Sequence, residues 1–132
     1  MQFQATWMGF VAVGVGAAVG AWLRWGLSLW LNEKHTHFPW GTFAANAIGG
    51  LLVGLAVAYF AKHPDLSPAW RLLIITGFLG GLTTFSTYSA EVIALVARGH
   101  VAWALAVGAS HLAVSLVLTA VGLWLGRLAI SP

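Results

Sequence analysis

The sequence has no cysteine, which excludes disulfides, thiolate metal centres and cysteine nucleophiles. Charge is nearly as scarce: charged residues make up 7% of the 132-residue chain, against about a quarter in soluble domains. So little charge cannot cover a soluble surface. The acids number three against six Lys and Arg, a net charge of +3. The basic residues stand singly, with no run to track a nucleic-acid backbone, so nucleic acid is not an expected partner. No nucleophile–base arrangement or phosphate-cradling glycine loop is present, and catalysis has no support in the sequence. His35-Thr36-His37 has the spacing of a metal pair but no carboxylate beside it to complete one, and it reads as a solvated loop. The N-terminal MQFQATW has no positive n-region, so the long apolar run behind it is expected to be a retained first span rather than a signal peptide.

What is abundant is apolar length. Hydrophobic residues make up 60% of the chain, and a helix needs about 20 of them in succession to cross a bilayer. Four windows qualify, at about Trp7–Leu31, Pro39–Ala61, Trp70–Ala97 and Val101–Leu128. Trp7, Trp30, Trp40, Trp70, Trp103 and Trp124 lie near their ends, where amphipathic rings settle at headgroups. Gly16 with Gly20, Gly50 with Gly54 and Gly122 with Gly126 have the spacing that lets membrane helices approach closely. The expected fold is an all-α integral membrane protein, a single domain over 1–132. Its basic residues are balanced: Lys62, Arg71 and Arg127 on one side face Lys34, Arg98 and Arg24 on the other. The positive-inside rule has little to act on, so insertion in both orientations is expected.

The polar residues inside the spans carry the functional signal, because ionisable groups in hydrocarbon are costly. Arg24 is either a snorkelling anchor or a fixed positive charge at a vestibule. Glu91 is a hydrogen-bond acceptor, a proton site or a partner for Arg24. Thr42 and Asn46 share a helix face at i, i+4, and His111, Ser115 and Thr119 form one stripe at i, i+4 and i+8. The stripe suggests a wet lining. The segment GFLGGLTTFSTYSAE, residues 77–91, combines three glycines with five Ser and Thr hydroxyls. Such backbone is tolerated at membrane depth only where it is buried in protein or lines a polar cavity. It reads as a break near the middle of the third span, lining an ion path. Gly80 is expected to need free backbone torsions there. Phe85 and Tyr88, at i, i+3, share a face and offer positive ring edges to a partly dehydrated anion.

With PWGTFAANAIGGLLVG at 39–54 and GVGAAVGAWLRWGLS at 14–28, this segment resembles the CrcB/Fluc fluoride channels over nearly the whole chain, in order. The resemblance implies a four-helix protein of the bacterial inner membrane that assembles as an antiparallel, dual-topology homodimer and passes fluoride passively. It implies a structural sodium ion at the dimer centre, held by the carbonyls of Gly80 and Thr83. It also implies a fluoride path past Asn46, Phe85 and Tyr88, with His111, Ser115 and Thr119 on the fourth span. Phenylalanine is the family's usual choice where this chain has Tyr88. Two alternatives stand beside it: a small multidrug-type exporter, which would want an acid in the first span where this chain has Arg24, and a non-transporting assembly subunit.

Overall fold

The computed structural model describes residues 5–32 and 36–130, and these are all-helical or turn. Four helical stretches are long and apolar enough to cross a membrane. They are α1 (Trp7–Leu31), α2 (Trp40–Lys62), a composite third span (Pro68–Ala97) and the last helix (Val101–Ala129). At 1.5 Å per residue, each extends roughly 35–45 Å. The ends lie within about two residues of where hydropathy and tryptophan placed them, because apolar length sets them.

The third span is built in pieces. Ser67 caps it and Pro68 opens α3 (Pro68–Arg71), where its missing N–H costs nothing. A π-helical segment, Leu72–Leu79, follows, then the single turn α4 (Gly80–Leu82). Thr83 is extended (φ −82°, ψ 152°), and helix resumes as α5 (Ser86–Ala97). A tight turn leads into α6 (Val101–Ala129). Gly99, at φ +83°, supplies the left-handed residue this turn requires. The Gly99 and His100 N–H groups donate to the Val96 and Leu95 carbonyls at 2.9 and 2.8 Å, the paired bonds of a Schellman cap.

Small residues set the helix contacts. A Cβ on Gly16 would lie 2.7 Å from the Phe78 nitrogen, and one on Gly20 equally close to that of Leu82. From the facing side, a Cβ on Gly77 would meet the Val13 carbonyl at 2.8 Å and one on Gly81 would press into Ala17. α1 and the first half of the third span therefore touch backbone to backbone. α2 and α6 cross the same way at Gly54 and Gly122, whose added Cβ atoms would strike the opposite main chain. All three glycine pairs read from the sequence lie at such crossings. Two small apolar clusters complete the interior. Ala45, Leu79 and Leu82 form one, and Leu95, Ala104 and Val107 the other, where α5 meets α6.

Candidate functional site

Where the helix stops at Leu82, its last carbonyls and the next N–H groups lose their intrahelical partners. Asn46 takes up the peptide groups of Thr84. Its Oδ1 accepts from the Thr84 N–H at 2.7 Å, and its Nδ2 donates to the Thr84 carbonyl at 2.9 Å. Thr84 Oγ1 in turn accepts from the Thr87 N–H at 3.1 Å, capping the start of α5. One amide thus holds both polar groups of an extended peptide, in a protein interior where leaving each unpaired would cost about 1–3 kcal/mol. Four residues earlier on α2, the fully buried Thr42 donates to Glu91 Oε1 at 2.7 Å. Thr42 Oγ1 also accepts from Asn32 Nδ2 at 3.5 Å. Two polar rungs join α2 to the second half of the third span.

Beside the Asn46 rung lies an open groove of about 280 Å³. Asn46, Gly50 and Val53 of α2 form one wall, Thr83, Thr84, Phe85 and Tyr88 the second, and His111, Leu112, Ser115 and Thr119 of α6 the third. Seven residues singled out from the sequence therefore meet: Asn46, Thr83, Phe85, Tyr88, His111, Ser115 and Thr119. Their hydroxyls differ in what they offer. Thr83 Oγ1 donates to the Leu79 carbonyl and Thr119 Oγ1 to that of Ser115, both at 2.8 Å. These turn oxygen, not hydrogen, outward.

The two rings of the third span differ as well. Phe85 is 76% exposed. Tyr88 is anchored, its hydroxyl donating to the Gly108 carbonyl at 2.9 Å. The phenol proton is thus engaged by α6, and it is the ring that borders the groove. Tyr88 lies 5.4 Å from Phe85 and stacks on His111 at 4.9 Å between centroids. His111 is 3% exposed. Phe43 meets it edge-on at 5.3 Å, Phe38 lies at 6.1 Å, and its Nδ1 is 3.4 Å from Asn46 Nδ2.

Three other sequence candidates lie outside the groove. Arg24 neither snorkels free nor pairs with Glu91; its Nε donates to the Gly81 carbonyl at 3.0 Å. A cation thus sits on the C-terminal end of the first half-helix, where the macrodipole favours it. Glu91 accepts from Thr42, and its Oε2 is buried with no partner among the described residues. Gly80 is exposed and ordinary in backbone (φ −64°, ψ −35°), and a Cβ there would meet only the Ile75 carbonyl at 3.6 Å. Free torsion is therefore not what this position needs. Gly80 and Thr83 flank a helix terminus, and backbone carbonyls of that kind suit a hard cation such as sodium.

Sequence reasoning missed Thr84 as the partner of Asn46, Gly108 as the acceptor for Tyr88, and the Phe38–Phe43 surround of His111. The first two are backbone groups, for which a side-chain pattern gives no signal. His37 packs against His100, centroids 4.1 Å apart; His35 and Lys34 lie outside the described residues.

Residues 11–123 match the family described as CrcB-like protein, Camphor Resistance (CrcB). The chain is 60% identical over 121 residues, 92% of its length and 96% of the relative's, to the fluoride-specific ion channel FluC of Cupriavidus pinatubonensis. It is 58% identical over 113 residues to the protein of that name in Pseudomonas putida, covering 86% of this chain and 89% of the relative. With the one in Thiobacillus denitrificans, identity is 55% over 115 residues, 87% and 93% of the two chains.

Proposed function

Because the chain belongs to the CrcB-like family, we infer that it is a fluoride-specific ion channel of the membrane and not an enzyme. The observation that carries this reading into the molecule is the groove pinned open by the Asn46–Thr84 pair. Fluoride is small and strongly hydrated, so passage requires groups that replace its water a few at a time. The exposed Phe85 ring presents a positive edge. Ser115 adds a hydroxyl with no hydrogen bond among the described residues, one turn from Thr119. Asn46, Tyr88 and His111 complete the path. Asn46 acts first as the strut that keeps the interrupted helix in register.

The groove is open on one side, and its rim is wrong for lipid. Phe85 is exposed there beside half-buried Thr83 and Thr84, and Gly80 and Ser86, close by along the chain, are exposed as well. Hydroxyls and freed carbonyls facing hydrocarbon are unfavourable, whereas a second copy of the chain would cover them. We assign this face to a homodimer. Gly80 would sit at its centre, small because the partner approaches there and not because its own chain needs the room. The carbonyls of Gly80 and Thr83 would hold the sodium ion, which when bound supplies a fixed positive potential beside the anion path.

The antiparallel arrangement rests on charge. With Arg24 committed to Gly81, the basic residues divide into Lys62, Arg71 and Arg127 against Lys34 and Arg98. A difference of one gives neither orientation a strong advantage.

The test is efflux from liposomes of purified protein. Fluoride should leave rapidly and passively while chloride stays; equal rates for the two would overturn selectivity. A cysteine placed at the C-terminus should be labelled from both faces of intact cells, and labelling from one face alone would overturn dual topology.

A further inference from the structure

The hydrogen bonds around Asn46 determine where His111 carries its proton. The Thr84 N–H can only donate, so the Asn46 atom 2.7 Å from it is the carbonyl oxygen. The Thr84 carbonyl can only accept, so the atom 2.9 Å from it is the NH₂ group. The orientation of the amide is therefore fixed by two backbone groups. An amide nitrogen cannot accept, so across the 3.4 Å contact Asn46 donates and His111 Nδ1 receives. A neutral imidazole with Nδ1 bare has its one hydrogen on Nε2.

That N–H has nothing to bond. Nε2 is buried without a hydrogen-bond partner among the described residues. The rings around it are no substitute: Tyr88 stacks on the imidazole with its hydroxyl already given to Gly108, and Phe38 and Phe43 are apolar. A donor buried and unpaired in a folded protein calls for an acceptor that arrives from outside. His111 lines the groove, and Ser115, whose hydroxyl has no hydrogen bond among the described residues, follows it by four residues on the same face of α6.

We propose that the Nε2–H of His111 is a dehydrated anion donor in the groove, where an ion passing Ser115 exchanges a water for the imidazole hydrogen. This rests on the channel reading and adds to it a named atom and a fixed tautomer. Nε2 is buried in this conformation, so an anion that takes the bond must be bare on that side, and the imidazole must shift toward the groove to meet it. Asn46 and Thr84 act on the ion through His111, by holding the tautomer that donates.

The experiment is ¹⁵N NMR of imidazole-labelled wild-type protein, with the His111 signals assigned by their loss in His111→Gln. Nε2 should be protonated and Nδ1 bare, and the Nε2–H signal should move on addition of sodium fluoride but not sodium chloride. In liposomes, His111→Gln can both accept from Asn46 and donate, and should conduct faster than His111→Leu. His111→Leu should slow fluoride about tenfold or more, the equivalent of about 1.4 kcal/mol. A proton on Nδ1, a signal indifferent to fluoride, or one that moves equally with chloride would overturn the proposal while wild-type flux keeps the channel reading intact. Wild-type liposomes that release no fluoride would instead overturn the channel reading itself.

Discussion

The two halves of the third span share a chain but not a way of packing. The first, from Pro68 to Leu82, lies against α1 through bare backbone, with Gly16 and Gly20 on one side and Gly77 and Gly81 on the other. The second, from Ser86 to Ala97, leans on α6 through side chains, with Tyr88 and Leu95 against Ala104 and Val107, and is tied to α2 by polar rungs. Close backbone contact tolerates no added atom, whereas contacts through side chains leave gaps, and the groove is one of them. Rigidity in the first half and space in the second are consequences of residue size.

The comparison breaks most severely on the glycine side. Gly81→Val would drive two methyl groups into the backbone at Ala17, and overpacking of that kind costs about 3 kcal/mol or more when the opposing atoms are main chain. Folded yield by size-exclusion chromatography should collapse. Asn46→Leu comes next. It strips both partners from Thr84, a loss of about 2 kcal/mol or more for two part-buried peptide groups. Fluoride efflux should fall more than tenfold, since the residue sets the joint between the halves. Gly80→Ala separates the chain's own packing from assembly. Its Cβ meets nothing closer than 3.6 Å, so helicity by circular dichroism should be unchanged while cross-linked dimer and flux both decline. A variant that dimerises and conducts normally would remove Gly80 from the proposed interface.

The smallest effect belongs to Tyr88→Phe. It loses one hydrogen bond to Gly108, about 0.5–1.5 kcal/mol of stability, and leaves the ring in place. Flux within about threefold of wild type is expected, because a loss of that size rarely exceeds tenfold even if fully transmitted. Tyr88→Leu, which removes the ring from both Phe85 and His111, should slow flux further; equal flux in the two variants would show that the ring edge is not part of the path.

The spans were legible because hydropathy over about 20 residues is a strong, local signal. Asn46 was legible as an amide in an apolar run, and the 111–115–119 stripe as helical periodicity. What escaped was pairing at a distance: Asn46 to a peptide 38 residues away, and Tyr88 to the carbonyl of Gly108. Gly77, Gly80 and Gly81 look alike in the sequence, yet two pack on α1 and one faces outward. The π-helical segment, which contains Gly77 and ends just before Gly80, widens the turn and shifts the phase, so a count in steps of 3.6 from the start of the span points to the wrong face. The contact of Arg24 was illegible for a related reason, since its partner is a carbonyl.

The order in which the groove's walls are made has a consequence for biosynthesis. Its third wall is α6, which leaves the ribosome after the other two walls. Until α6 is in the bilayer, Tyr88 has no Gly108 to bond, Asn46 has no His111, and the α5 side of the second cluster is unpaired. A chain arrested before residue 101 can still seat its first three spans, because α1 and the first half of the third hold each other. It has no conduit. Truncated products are therefore expected to be inert in the membrane instead of leaking ions across it.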